Sequence, residues 1–206
     1  MLTLYFSPGT CALATHIALE EAGADYALSR IDFGKDEQNS PEFLKLNPKG
    51  RVPALVTDDG VLTETPALLA WVAQTWPEAK LAPLDDAFRF AEVQAVNSYL
   101  CSTVHVAHAH GRRGYRWADD PAAHEAMRAK LPASMSACFQ TIEDSVLEGP
   151  WMFGETYTIA DPYLFTIARW LEVDGVDIAK FPKVAAHFEA MHRRPAVAAA
   201  LKGQGL

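Results

Sequence analysis

The stretch YFSPGTCALATHIALEEAG, residues 5–23, decides how the chain begins to fold, because it places a short loop and one cysteine before a predicted helix. An apolar run at 2–6 precedes the loop and has the composition of a buried strand. Apolar residues then recur at helical spacing from Cys11 onward, and Gly23 ends the pattern as a C-cap residue does. The stretch therefore predicts a strand, a tight loop and a helix with Cys11 at its N-terminus.

Cys11 is the first candidate for chemistry. The free N–H groups and the dipole of a helix N-terminus stabilise a thiolate, so we expect a Cys11 thiol more acidic than the usual pKa of about 8.5. No Cys-x-x-Cys pair surrounds it, since Pro8 and Ala14 occupy the paired positions, and this disfavours a dithiol oxidoreductase. A thiol that works with a small thiol from solution and an ordinary packed small residue both stay open.

Strands and helices continue to alternate after this stretch. Residues 26–33 are typical of a second strand, and SPEFLKLNP, 40–48, predicts a short helix with serine as its N-cap. PALVTDDGVLTE, 53–64, predicts a hairpin around an Asp-Gly turn, and TPALLAWVAQTW, 65–76, predicts a helix. The order predicts a small α/β domain over 1–76.

The remainder of the chain has a different sequence pattern, with almost no residues typical of strands. Two prolines and a polar stretch break the pattern over 77–86, which we interpret as a linker. Residues 87–206 are expected to form an all-helical domain, with helices over 87–111, 121–148, 159–171, 183–194 and 196–202. The predicted fold class is therefore a small α/β domain followed by an all-α domain.

Composition narrows the possible functions. The chain has 206 residues, half of them apolar, and a net charge of −8. The acidic balance argues against a nucleic-acid partner, and we see no apolar run suited to a membrane span and no signal peptide. Three widely spaced cysteines do not form a disulfide framework, so we expect a cytoplasmic protein.

The segment NPKGRVPAL, 47–55, is a candidate for binding an extended peptide. An X-Pro bond just before a strand is one of the few places where a cis peptide is plausible, and a cis Val52–Pro53 bond would turn the Val52 N–H and C=O out of the ladder. The alternative is a trans proline that starts an edge strand.

The segment LTETPAL, 62–68, offers charged and polar groups at the start of a helix. Thr65 is expected to cap that helix, whose N-terminus favours a carboxylate from outside, and Glu64 could take a ligand ammonium. A simple helix cap explains the same residues. Together with a thiol site and a peptide-pairing edge, these groups suit a small zwitterionic thiol peptide.

Two further patterns stand in the helical part. His105 and His108 share a helix face, with His110 close by, which could suggest a metal site, but the pattern lacks the further ligands that a metal needs. A donor near a thiol or a solvated face is the preferred interpretation, and we expect no metal. Thr158 and Asp161 predict a capping box, whose role is in folding.

These segments together resemble the cytosolic glutathione transferase family over essentially the whole chain. The resemblance rests on GRVPAL, TETPALLAWVA, TIADPYLF and FPKVAAHFEAMHRRPAVAAAL in this order, and SPGTCALATHIALEEAG looks most like the bacterial beta class. It implies a thioredoxin-like N-terminal domain, a helical C-terminal domain and a homodimer.

The resemblance implies roles for individual residues. Cys11 would lie beside the glutathione sulfur, able to form a mixed disulfide with it, and His105 would face the site. Glutathione would be bound by residues from both domains: Tyr5, Lys35, Val52, Pro53, Glu64, Thr65 and Ser102. Tyr5 and Ser7 lie near the place where other classes of the family have a catalytic hydroxyl. Residues 111–117 are expected to border the second-substrate pocket.

The function implied is a detoxifying transferase that joins the glutathione thiolate to a small hydrophobic electrophile. Glutathione is then a substrate, and no metal is needed. Two alternatives stay open: a glutathione-dependent disulfide reductase or dehalogenase that uses Cys11, and a non-catalytic binding or regulatory protein of the same fold.

Overall fold

The computed structural model describes residues 2–206, which form four strands and nine α-helices. The elements follow in this order: β1 Leu2–Phe6, α1 Ala12–Glu21, β2 Tyr26–Arg30, α2 Pro41–Leu46, β3 Ala54–Thr57, β4 Gly60–Thr63, α3 Thr65–Thr75, α4 Ala87–Tyr99, α5 His105–Arg113, α6 Pro121–Thr141, α7 Ala160–Ala168, α8 Pro182–His192 and α9 Pro195–Gln204. The predicted α/β unit followed by a helical unit is confirmed.

The strands form one mixed sheet in the order β2-β1-β3-β4. β1 pairs in parallel with β2, whereas the β1–β3 and β3–β4 pairs are antiparallel. Because α1 connects the two parallel strands, it crosses over one face of the sheet. This connection fixes the loop that precedes α1, and with it Cys11, at the end of β1.

Helix α1 lies at the centre of the molecule, and its residues 12–19 are all buried. Leu13 and Ile17 pack with Phe165 of α7, Met191 of α8 and Val197 of α9 in one apolar cluster. The helical unit therefore closes over the first unit through α1, and the two units share a core.

Helix α9 also reaches the loop before α1. The Gln204 side chain accepts a hydrogen bond from the Gly9 N–H at 3.4 Å and approaches His16 Nδ1 at 3.3 Å. Arg194 pairs with Glu21 through Nη2 and Oε2 at 2.8 Å. The end of the helical unit thus holds both the start and the end of α1.

The TIADPYLF segment starts α7, and Asp161 is fully buried there. Its carboxylate accepts the N–H of Thr158 at 2.7 Å and the N–H of Met152 at 2.7 Å, and it contacts His187 Nε2 at 3.0 Å. Thr158 in turn accepts the Ala160 N–H through its hydroxyl at 3.3 Å. The capping interaction is present, and Asp161 additionally ties α7 to α8.

Several predicted bounds change for local reasons. The second strand ends at Arg30, because Asp32 accepts the Gly34 N–H and starts a 3₁₀ turn at Phe33–Lys35. The helix predicted over 87–111 is present as α4 and α5 joined by a π-helical segment, Leu100–Val104. That segment widens the helix and rotates the residues on either side of it relative to an unbroken α-helix.

Candidate active site

A cleft between the sheet unit and the helical unit contains Cys11. It has a wide lobe of about 510 Å³ and a narrow lobe of about 260 Å³. Five residues line both lobes and so mark where they meet: Cys11, Arg51, Val52, His105 and Arg116. The two residues predicted to be catalytic, Cys11 and His105, are therefore brought together at the centre of the cleft.

Cys11 stands immediately before α1, as the sequence predicts, and only 8% of its surface is exposed. Its thiol donates a weak hydrogen bond to the Val52 carbonyl at an Sγ–O distance of 3.6 Å. Burial raises the pKa of the Cys11 thiol above its usual value, although the Thr65 hydroxyl and the Arg113 guanidinium act to lower it. The expectation of an acidic thiol is therefore wrong, because the loss of hydration exceeds what the helix N-terminus provides.

The Val52–Pro53 peptide bond is cis. β3 starts directly after it and lies between β1 and β4, so the alternative of a trans proline on an edge strand is wrong. The Asn47 side chain donates to the Arg51 carbonyl at 2.6 Å and fixes the turn that leads to this bond. Both Val52 and Pro53 line the narrow lobe.

Glu64 and Thr65 line the narrow lobe from the start of α3. Thr65 is the first residue of this helix and makes no capping hydrogen bond, so the expectation that it caps the helix is wrong. Its buried hydroxyl instead interacts with the Cys11 thiol. Glu64 is the N-cap residue, with a φ of 74° that non-glycine residues rarely adopt and that often marks a functional position.

Lys49 is a neighbour of Glu64 that sequence reasoning missed. Its ammonium forms an ion pair with the Glu64 carboxylate and donates to the Thr63 hydroxyl at 2.7 Å. The side chains of both Lys49 and Glu64 are largely exposed, so this pair is weak and can exchange with a ligand charge.

His105 and His108 project from α5 onto Trp170. The ring centroids of His108 and Trp170 are 4.3 Å apart in a stacked arrangement, and those of His105 and Trp170 are 4.9 Å apart. Asp174 holds His108 through Nδ1 at 2.8 Å, and the Trp170 indole N–H donates to the Gly9 carbonyl at 2.9 Å. This stack joins the helical wall of the cleft to the loop before Cys11.

The charge of His105 follows from its surroundings. Burial, followed by the positive fields of His108, Arg113, Arg116 and Arg51, lowers the pKa of His105 to about 3. His105 is therefore neutral at pH 7. In the cleft it can donate one hydrogen bond and accept another, but it does not supply positive charge there.

Three of the predicted glutathione-binding residues do not line the cleft. The Tyr5 ring packs against Phe43, with centroids 5.9 Å apart, and Lys35 pairs with Asp32 at 3.7 Å while its side chain is 74% exposed. Ser102 is exposed and donates its hydroxyl hydrogen to the Ser98 carbonyl at 2.8 Å.

Cys101 lines the narrow lobe where Ser102 was expected. The π-helical segment accounts for the difference, because the His105 N–H bonds to the Leu100 carbonyl five residues back. In such a wide turn the residue four positions before His105 faces the same way, and the residue three positions before it turns outward. Tyr163 lies beside Cys101, and burial raises the pKa of its hydroxyl, which therefore keeps its proton.

The segment 111–117 borders the cleft, as expected. Arg112, Arg113, Tyr115 and Arg116 line the wide lobe, and Trp117 lines the narrow one.

Within residues 2–206, no group of three or more His, Cys, Asp or Glu side chains could hold a metal ion. Over the same range, no helix has the length and apolar character needed to cross a membrane.

Comparison with known proteins gives a consistent result. Residues 1–74 match the glutathione S-transferase N-terminal domain family, and residues 121–190 match the corresponding C-terminal domain family. Glutathione S-transferase GstA of Escherichia coli O157:H7 is 32% identical over 208 residues, which cover 100% of both proteins.

Solved structures agree with this result. A glutathione transferase homolog from Sulfitobacter, crystallised with bound glutathione, is 48% identical, with a TM-score of 0.96 over 100% of this chain and 98% of that one. A bacterial beta class glutathione S-transferase from Sphingomonas chungbukensis is 32% identical, with a TM-score of 0.86 over 99% of each chain.

The chain has a thioredoxin-like sheet unit and a helical unit that share a cleft, and the cleft contains a cysteine and a cis-proline. This combination is that of a two-domain transferase. The chain belongs to the glutathione S-transferase family, and its neighbours include bacterial beta class members.

Proposed function

We propose that this protein binds glutathione in the narrow lobe and transfers its sulfur to a small electrophile in the wide lobe. The observation that carries the proposal is that one lobe is lined by Cys11, by Val52 and Pro53 at the cis peptide bond, and by Glu64. A γ-glutamyl tripeptide needs a partner for its ammonium, a backbone edge for its centre and a polar site for its sulfur. The Sulfitobacter homolog, whose structure contains bound glutathione, supports glutathione as the ligand.

Glu64 takes the ligand ammonium in this proposal. The ammonium exchanges with Lys49, which then turns to the ligand carboxylate or to solvent, and this exchange costs little because both side chains are exposed. Thr65 and the N-terminus of α3 face the α-carboxylate of the same γ-glutamyl unit.

The sulfur of glutathione lies between Cys11 and the wide lobe. Because the pKa of Cys11 is raised, this thiol keeps its proton at neutral pH, and its S–H can turn from the weak bond to the Val52 carbonyl to donate to the glutathione sulfur. Arg113 adds positive charge on the same side. A donor and a cation both stabilise a bound glutathione thiolate, which is the nucleophile of the transfer.

Isothermal titration calorimetry with glutathione tests the binding site. Glu64→Gln keeps the shape of the side chain and removes its charge, so we expect affinity to fall about tenfold, which is the worth of one charge-assisted hydrogen bond. Glu78→Gln is the matched control, since Glu78 is an exposed residue of the segment that follows α3. No binding at millimolar glutathione, or equal losses in both variants, would refute the assignment.

Disulfide exchange through Cys11 is the second candidate function. It is favoured by one observation, namely that Cys101 lines the same narrow lobe as Cys11 and could resolve a mixed disulfide. The raised pKa of Cys11 weighs against it, because only the thiolate attacks a disulfide. Incubation with glutathione disulfide followed by mass measurement separates the two functions, since exchange leaves either a glutathione adduct on Cys11 or, after resolution by Cys101, a Cys11–Cys101 disulfide with release of glutathione.

We also propose that the protein is a homodimer, as the family resemblance implies. Phe88, in the first turn of α4, is 74% exposed, and Leu84 just before the helix is 39% exposed, so apolar surface is available for a partner. Analytical ultracentrifugation at micromolar concentration should give a dimer mass for the native chain and a monomer mass for Phe88→Glu. A monomeric native chain would contradict the proposal.

A further inference from the structure

The wide lobe is lined by positive charge. Arg51, Arg112, Arg113 and Arg116 all face it, whereas no Asp or Glu does. The chain as a whole carries a net charge of −8, so this local excess of cations is opposite in sign to the rest of the molecule. Stabilising one glutathione thiolate does not need four cations, so the excess suggests that the second substrate is charged as well.

The four guanidinium groups lack counterions within residues 2–206, where every ion pair involves other residues. Asp174 lies next to Val173, which lines the wide lobe, but it is only 3% exposed and its carboxylate is bonded to His108. Burial and the field of Arg116 lower the pKa of Arg113, and the same cluster of cations acts on His105. The positive charge of the lobe is therefore uncompensated, which favours an anionic ligand.

Two of the arginines belong to the wide lobe alone. Arg112 and Arg113 line it but are absent from the narrow lobe that contains Glu64 and Thr65, whereas Arg51 lines both and directly precedes Val52. Arg51 is thus placed to serve the tripeptide. Arg112 and Arg113, at the end of α5, are placed on the second-substrate side, where Arg113 is also close enough to Cys11 to act on the sulfur of glutathione.

Aromatic side chains line part of the wide lobe. Trp170 stacks on His108, Phe33 lines the lobe from the sheet unit, and Tyr115 stands beside Arg116, whose Cζ is 6.0 Å from the ring centroid. Trp170 is buried, but Phe33 and Tyr115 are exposed, and exposed rings next to guanidinium groups suit a ligand with a planar, conjugated body and a carboxylate at one end.

We propose that the second substrate is an aromatic or conjugated electrophile that carries a carboxylate, with Arg112 and Arg113 binding the carboxylate. This inference rests on the proposed function and adds the substrate class. In a haloaromatic acid, the glutathione thiolate forms a C–S bond at the carbon that bears the halogen, and the C–halogen bond then breaks with its electron pair on the leaving halide. The thiol proton goes to solvent, so no other reactant is needed.

A matched pair of probes tests the inference: 4-chloro-3,5-dinitrobenzoate and its methyl ester, which differ in charge but present the same reacting carbon. Each kcat/KM is divided by the uncatalysed rate constant with glutathione, which removes the difference in intrinsic reactivity. We expect the acid to be favoured over the ester at least tenfold, and the preference to shrink as salt is raised.

Arg112→Gln is expected to lower the acid-to-ester ratio by about tenfold, and Arg113→Gln to do the same. Arg112 is exposed, so its replacement does not threaten folding even if that of the half-buried Arg113 does. Arg128→Gln removes an equal charge from an exposed site on α6, away from the cleft, and should leave the ratio unchanged.

Three results would overturn the inference. If glutathione binds and the ester is turned over as well as the acid, the substrate class is wrong while the proposed function stands. If the protein neither binds glutathione in calorimetry nor accelerates either reaction, both fail together. A ratio that falls equally in Arg128→Gln would also refute the assignment to Arg112 and Arg113, because the effect would then come from net charge.

Discussion

The ionisation of Cys11 offers a direct test of the site's electrostatics. The Thr65 hydroxyl interacts with this thiol and lowers its pKa, whereas burial raises it. Thr65→Val removes the hydroxyl and keeps the shape of the side chain. One hydrogen bond to a charged group is worth about 1.5 kcal/mol, and one pKa unit corresponds to about 1.36 kcal/mol. We therefore expect the pKa of Cys11 to rise by about one unit.

Alkylation kinetics measure this shift. In a background where Cys101 is replaced by Ser and Cys138 by Ala, the rate of iodoacetamide labelling as a function of pH gives the pKa of Cys11 alone. Below that pKa, Thr65→Val should react about tenfold more slowly, because the thiolate fraction falls tenfold for one pKa unit. Thr75→Val is the control, since Thr75 is on the same helix and its hydroxyl bonds only the Trp71 carbonyl at 2.8 Å.

Two outcomes would refute the reasoning. A parent pKa below about 8.5 would mean that the N-terminus of α1 outweighs the loss of hydration at Cys11. An unchanged pKa in Thr65→Val would mean that the hydroxyl does not stabilise the thiolate, and Arg113 would then be the group to examine.

Three other predictions concern Cys11, Asp161 and two buried histidines. Cys11→Ala should keep the rate of glutathione conjugation within about tenfold of the parent, because it removes one hydrogen bond, and it should lose any adduct with glutathione disulfide. Loss of all conjugation would instead show that the Cys11 thiol is indispensable. Asp161→Ala leaves its buried partners unpaired and should lower the free energy of unfolding by about 3 kcal/mol or more in urea titration, whereas the exposed Asp119→Ala should change it little. Burial lowers the pKa of His16 to about 4 and that of His105 to about 3. Because the unfolded chain binds protons first as the pH falls below 6.5, His16 alone should lower the free energy of unfolding by about 2 kcal/mol between pH 7 and pH 5. Equal urea midpoints at those two pH values would contradict this.

The fold could be predicted from the sequence because its signals are local. The serine N-cap of α2, the Asp-Gly turn between β3 and β4 and the periodic apolar residues of α1 each depend on a few neighbouring positions, and the structure confirms them. The pattern also indicated a helix from residue 87 past His105, and the structure confirms a continuous helical path there.

The errors in the candidate site arise where a property depends on distant parts of the chain. The family resemblance placed Ser102 in the glutathione site, but the π-helical segment presents Cys101 to the narrow lobe instead. Helix position alone predicted an acidic Cys11 thiol, whereas its ionisation depends on burial by segments far along the chain. The Lys49–Glu64 pair joins two segments that only the hairpin brings together.

The contact between Gly9 and Gln204 has a consequence for how the protein is made, because it joins residues 195 positions apart. A ribosome that adds 5–20 residues per second needs roughly 10–40 s to cover that distance. The sheet unit can therefore emerge and pair its strands well before the loop ahead of Cys11 acquires its final support. The loop ahead of Cys11 therefore reaches its final arrangement only after α9 has been synthesised.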